Sequence, residues 1–197
     1  TRDFEDGSRL FALEIICSLA ESFPKGLKDN RQPMQEHFFP AICQMMTQVE
    51  HEDDLDAWYA QDEEEIFGSN DMASQAAESL ERISQKIGEK MTQECCMPLF
   101  NQMIKSQTWQ ERTAGYVALA MIVETCESTF KKHLAEVVAQ HVAGIRDEHP
   151  RVRYQALMSY GLLCNQASPD IQKAHHAEPL PMLLQMMASE EKIKMKA

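Results

Sequence analysis

Between Glu50 and Glu65 the chain carries nine carboxylates and no lysine or arginine. Glu50, Glu52, Asp53, Asp54, Asp56, Asp62, Glu63, Glu64 and Glu65 supply the charge, and Trp58 and Tyr59 stand among them. Since the whole chain has a net charge of −12, most of its acidity is this one local object. Like charges at that density repel and resist compact order, which predicts a mobile insert over residues 50–70. The chemistry it offers is recognition. Its carboxylates neutralise a basic partner while the faces of Trp58 and Tyr59 take lysine or arginine stems. The alternative for Trp58 is that it tucks the insert onto the adjacent helix, and the two roles are compatible.

Other reactive groups do not assemble into a catalytic pattern. His51-Glu52 is the only His-Glu dipeptide, whereas repeat-built di-iron sites need paired ligand motifs on facing helices. His133 and His141 have no acidic or thiol ligand at matching spacing, and His175 and His176 are adjacent. With no HExxH, GxSxG, phosphate-binding glycine loop or zinc spacing, neither catalysis nor a metal or organic cofactor is expected. Cys17, Cys43, Cys95, Cys96, Cys126 and Cys164 mostly fall at apolar helical positions without a CxxC, the pattern of reduced, buried thiols in an intracellular protein. A pI near 5.0 and only 19 lysines and arginines argue against direct nucleic-acid binding. No apolar run reaches the roughly 18 residues of a membrane span, and no secretory leader is recognisable.

Recognition groups need a scaffold, and the turn Asp147-Glu-His-Pro-Arg-Val-Arg153 identifies one. It returns in weaker form from Ser106 onward, with Arg112 lying 41 residues before Arg153. A period of that length with helical patterning inside it marks a two-helix solenoid repeat of the HEAT or armadillo kind. Pro150 suits the first turn of a helix, where its missing N–H has no intrahelical partner. Val152, Ala156, Leu157, Tyr160, Leu163 and Cys164 then form one apolar face at a period near 3.6. Ala114, Val117, Ala118, Met121, Ile122 and Thr125 repeat that face, and Leu10, Leu13, Ile16, Cys17 and Ala20 do so again when Arg9 is set on Arg153. The fold read from this is all-α: an α-solenoid of HEAT repeats, antiparallel helix pairs stacked into a right-handed superhelix.

Residues 1–197 form a single array of about four to five such repeats. Helices are expected over 7–23 (inner), 32–48 (outer), 71–88, 89–105, 109–127, 130–146 (outer), 150–166 and 169–188 (outer). The insert falls between the two helices of one repeat. The lysine-rich tail Glu190–Ala197 reads as the start of another inner helix, which with the initial Thr1 suggests a piece of a longer array without capping repeats. Thirteen methionines, including Met45-Met46 and Met186-Met187, are read mainly as core filling.

Set in register, Glu21, Glu124 and Asn165 fall together late on inner helices, with Glu81 or Glu89 as the rung of the insert-bearing repeat. Carboxylates and an amide so arranged suit an extended basic peptide, pairing with ammonium groups and peptide backbone. The plainer alternative is a solvated face. Arg112, Arg151 and Arg153 are expected to be structural, bonding across turns to Asp147 or nearby carbonyls. Ser106 occupies the position of Asp147 in the Trp109 repeat, so a stacked Asp–Arg ladder should be interrupted there.

Ala12–Ser22, the acidic insert around Trp58, Trp109-Gln-Glu-Arg-Thr-Ala-Gly115, Glu124-Thr-Cys126 and Asp147–Arg153 occur in an order that resembles the importin-beta, or karyopherin-beta, nuclear transport receptors, of the importin five (Ran-binding protein five) type. The resemblance runs from about residue 8 to the end. It implies the central part of a much longer monomeric carrier that shuttles between cytoplasm and nucleus, wraps basic cargo on its concave face and releases it when Ran-GTP docks. It also implies contact with phenylalanine-glycine nucleoporins through grooves between outer helices, where Met45, Leu99, Met103 and Val138 are candidates, though core positions suit them better. The rival reading is a non-enzymatic HEAT scaffold, such as a phosphatase regulatory subunit or assembly platform.

Overall fold

The computed structural model describes residues 6–49, 54–60 and 71–188, and among them every regular element is helical. The order is α1 (Asp6–Ser22), α2 (Pro24–Asp29), α3 (Arg31–Pro33), a π-helical segment (Met34–Phe38), α4 (Phe39–Met46), α5 (Leu55–Ala60), α6 (Met72–Ile87), α7 (Glu89–Met103), α8 (Trp109–Ile122), α9 (Glu127–Lys132), α10 (Leu134–Ile145), α11 (Pro150–Gln166), α12 (Asp170–Ala174) and α13 (Pro179–Met187). They sort into two layers. Inner helices α1, α6, α8 and α11 pack side by side in chain order, and each outer helix rests on the inner helix that follows it: α4 on α6, α7 on α8, α10 on α11. The architecture is a HEAT-repeat solenoid. The insert follows α4 and precedes α6, and of it residues 54–60 are described.

Local chemistry sets the boundaries. Asp71 caps α6 by accepting from the Ser74 amide at 2.7 Å. Gly88, at φ +79°, ends α6 and lets α7 start at once, a backbone state open to glycine at little steric cost. Pro24, Pro150 and Pro179 each stand in the first turn of a helix. Two outer helices expected as single rods are broken. His133 leaves helical geometry at φ −112° and ψ 24°, dividing α9 from α10. The last outer helix divides at His175, which leaves helical geometry at φ −129° and ψ 18°, and it resumes at Pro179.

One apolar core runs between the layers through the stacked pairs. Cys17 and Ala20 of α1, Ile42 and Met46 of α4, Leu80 and Ile83 of α6, Phe100 of α7, Leu119 and Ile122 of α8, Val142 of α10 and Val152 and Leu163 of α11 all belong to it. The six cysteines are free, five of them buried. Burial pushes the Cys43 and Cys126 thiols up to about 12, so both stay protonated and inert at neutral pH. His141 is enclosed between α10 and α11. Its Nδ1 lies 2.7 Å from the Val137 carbonyl and its Nε2 2.9 Å from the Ser159 hydroxyl. A carbonyl only accepts, so Nδ1 carries the proton and Nε2 accepts from Ser159.

Candidate functional site

The turns hold the inner helices in register. Arg112 donates through Nε and Nη2 to the two carboxylate oxygens of Asp147, each at 2.8 Å, and through Nη1 to the Ser106 and Gln107 carbonyls, each at 3.1 Å. Asp147 also accepts from the His149 amide at 2.8 Å, and Arg153 donates to the Asp147 and Glu148 carbonyls, each at 3.0 Å. One repeat earlier Ser106 keeps the local half of this arrangement, its hydroxyl accepting from the Thr108 amide at 3.1 Å and donating to Glu111. Lacking a carboxylate, it offers no rung to the preceding repeat.

The carboxylates of the expected stripe have separate environments. Glu21 is exposed on α1 but engaged: Arg82 of α6 donates to it at 2.9 Å and to both oxygens of Glu14 at 2.7 and 3.0 Å. The Arg82 hydrogen bond holds the Glu14 carboxyl below its usual range. Neither Glu14 nor Arg82 was singled out from sequence, because the partners lie 61 and 68 residues apart. Glu81 is half-buried with the Gln85 amide 3.4 Å away, while Glu124, just past α8, and Asn165, near the end of α11, are exposed.

Glu89 does not line the inner face. It starts outer helix α7 and accepts from the Ser128 hydroxyl at 2.6 Å and from the Thr129 amide and hydroxyl at 2.7 and 2.8 Å, capping α9 of the next repeat. Those hydrogen bonds, Ser128 foremost, draw its carboxyl below the usual range. Burial also corrects the register of the first copy. Cys17 and Ala20 occupy the buried places of Tyr160 and Leu163, which sets Glu21 opposite Cys164 and Ser22 opposite Asn165.

Of the insert, Glu50, Glu52, Asp53, Asp62, Glu63, Glu64 and Glu65 lie outside the described residues. Asp54 caps α5 by accepting from the Ala57 amide at 2.9 Å, and Asp56 is exposed. Trp58 is turned inward, 5 % exposed, and meets Tyr154 of α11 edge to face at 5.9 Å. The Arg151 guanidinium lies 5.2 Å from the Trp58 ring centre, so an arginine of the chain itself takes the place foreseen for a partner's cation. Trp58 therefore docks two repeats onward, not on the neighbouring helix. Tyr59 stays half-buried beside it at 5.0 Å.

Met45, Met103 and Val138 are buried and Leu99 packs against the core, so these four do not open an outer groove. Exposed apolar side chains lie instead on α1, where Phe11, Ile15 and Leu19 are 75, 61 and 50 % exposed around a shallow groove of about 320 Å³, and on α13, where Leu180, Leu184 and Met187 are exposed. Among the described residues no group of three or more His, Cys, Asp or Glu could hold a metal ion, and no helix is long and apolar enough to cross a membrane.

Comparison with known proteins places this geometry. A family model described as an importin repeat matches residues 1–93. Importin subunit beta-3 of Saccharomyces cerevisiae is 31 % identical over 194 residues, covering 96 % of this chain and 17 % of that protein. The crystal structure of Kap121p superposes with a TM-score of 0.85 at 28 % identity, over 99 % of this chain and 19 % of that one. Kap121p bound to RanGTP gives a TM-score of 0.85 at 28 % identity, and Kap121p bound to Pho4p gives 0.84 at 29 %, each over 96 % of this chain and 19 and 18 % of theirs. The chain thus spans about a fifth of the length of the relatives it matches.

Proposed function

Because the chain is an importin-beta HEAT-repeat segment, we propose that it is a cargo-contacting part of a nuclear import receptor, taking an extended lysine-rich segment along its inner helices. What supports the reading is that Glu14, Glu21, Glu81 and Glu124, with Asn165, stand on or just beyond consecutive inner helices, and that the sequence from Glu50 to Glu65 adds nine carboxylates. Carboxylates spaced along a fixed scaffold attract lysine ammonium groups strongly at low salt, and amides satisfy the peptide backbone between them. Kap121p has been solved with RanGTP, Pho4p, the SUMO protease Ulp1p and Nup53p, which supports a carrier whose partners include cargo, Ran and nucleoporins. In the complete receptor, release of cargo is coupled to Ran-GTP, the carrier shuttles through the nuclear pore as a monomer, and it meets phenylalanine-glycine nucleoporins.

Fluorescence anisotropy with a labelled lysine-rich peptide tests the reading directly. Binding should weaken steeply with salt and disappear for the lysine-to-glutamine peptide. Reversing Glu21, Glu124 and the Glu50–Glu65 cluster to lysine should abolish it, and unchanged binding in that variant would sink the reading. With the complete receptor, excess Ran locked with GTP should strip basic cargo from a pull-down; retained cargo would favour a static scaffold.

A further inference from the structure

Among the described residues of the insert, Trp58 meets the array at a cluster of aromatic and cationic side chains. Arg151, 4 % exposed, holds its guanidinium 5.2 Å from the ring centre of Trp58 and 5.3 Å from that of Trp109. His149 stacks on Trp109 at 4.1 Å with the rings 6° from parallel, and Tyr154, 1 % exposed, meets the Trp58 ring edge-on at 84°. These side chains come from three elements distant in sequence. Trp58 belongs to α5, Trp109 is the first residue of α8, and Arg151 and Tyr154 lie in the opening turns of α11 with His149 just before it.

We propose that Trp58 is a strap that makes α5 and the opening turns of α8 and α11 one cooperative unit. A buried guanidinium held between two aromatic faces gains from both, so withdrawing one face frees it to shift and loosens its hold on the other. Opening at α5 is thereby transmitted to two inner helices of later repeats. In a solenoid, where each repeat otherwise meets only its neighbours, such a contact extends cooperativity beyond nearest neighbours. The strap does not depend on the cargo reading.

Native-state hydrogen exchange of the full chain distinguishes a strap from a local contact. In Trp58→Ala, amide exchange should rise at least about tenfold together in residues 55–60, 113–116 and 154–157, while α1 and α10 keep wild-type rates. A rise confined to α5 would overturn the proposal. Should Trp58→Ala loosen the whole chain, Arg151→Lys decides: it keeps the charge but not the flat guanidinium. A joint, smaller rise in the same three segments supports the strap, and a rise in α5 alone, a uniform rise or none refutes it.

Discussion

The Arg112–Asp147 pair is where the repeat stacking is most exposed to a quantitative test. Asp147 receives two charge-assisted hydrogen bonds from Arg112 and one from the His149 amide, all at 2.8 Å. The side chains are only 12 and 14 % exposed, so solvent screens the pair weakly. Charge-assisted hydrogen bonds contribute about 1.5–3 kcal/mol each, and removing one partner of a buried pair costs roughly 3–5 kcal/mol. Residual exposure and the carbonyl partners left to Arg112 put Asp147→Ala near the lower end, about 3 kcal/mol. Arg112→Ala should cost a similar amount. In a double-mutant cycle read by urea unfolding, the coupling between the two should be about 1.5–3 kcal/mol. Asp147→Asn, which keeps the acceptor for His149, should cost about half as much as the alanine variant. If Arg112→Ala costs the same with and without Asp147, to within about 0.5 kcal/mol, the pair is not a stacking rung and the reasoning fails.

Two further perturbations probe the seam between α10 and the inner helices. Burial lowers the His141 pKa to about 4, from an ordinary 6.5. The unfolded chain therefore takes up the proton first as pH falls: stability from the neutral ring is complete above about 6.5 and declines toward 4, by about 3 kcal/mol in all. Urea unfolding across that range should show a pH slope that His141→Gln flattens, and an identical slope in the variant would refute the assignment. Gly144→Ala would set a Cβ 2.3 Å from the Tyr116 hydroxyl oxygen, which is itself tied to the Gln140 carbonyl at 2.8 Å. It should destabilise by about 1–3 kcal/mol in thermal melts, and Tyr116→Leu should recover part of the loss.

Local chemistry is what made the fold legible. Asp147, Pro150 and Arg153 state a helix end, a helix start and a bond between them within seven residues, and that turn gave the repeat. The slip of one residue in the first copy has an equally local cause. Leu10, Phe11, Leu13, Ile15, Ile16, Cys17, Leu19 and Ala20 crowd α1 with apolar side chains on more than one face, and Phe11, Ile15 and Leu19 remain exposed. Periodicity alone could not choose between two faces. Pro179 marks where the last outer helix resumes, but no glycine or proline announces the breaks at His133 and His175 themselves.

The site was less legible because its chemistry depends on partners distant in the chain. Glu89 and Glu124 look alike in sequence, yet one carboxylate is consumed by capping Thr129 and the other stands in solvent. Arg82 changes what Glu21 can offer: with Glu14 the cluster holds two negative charges and one positive, so a lysine meets a net charge of −1 there instead of −2. The free attraction of the inner face is thus weaker at α1 than a count of carboxylates suggests, and relatively stronger toward Glu124. Trp58 shows the same dependence from the other side. An indole among nine carboxylates invites a cation, and one does face it; repeat stacking brings Arg151 to that ring, so the demand is met inside the molecule. The aromatic then fastens the insert while the exposed carboxylate of Asp56 faces solvent.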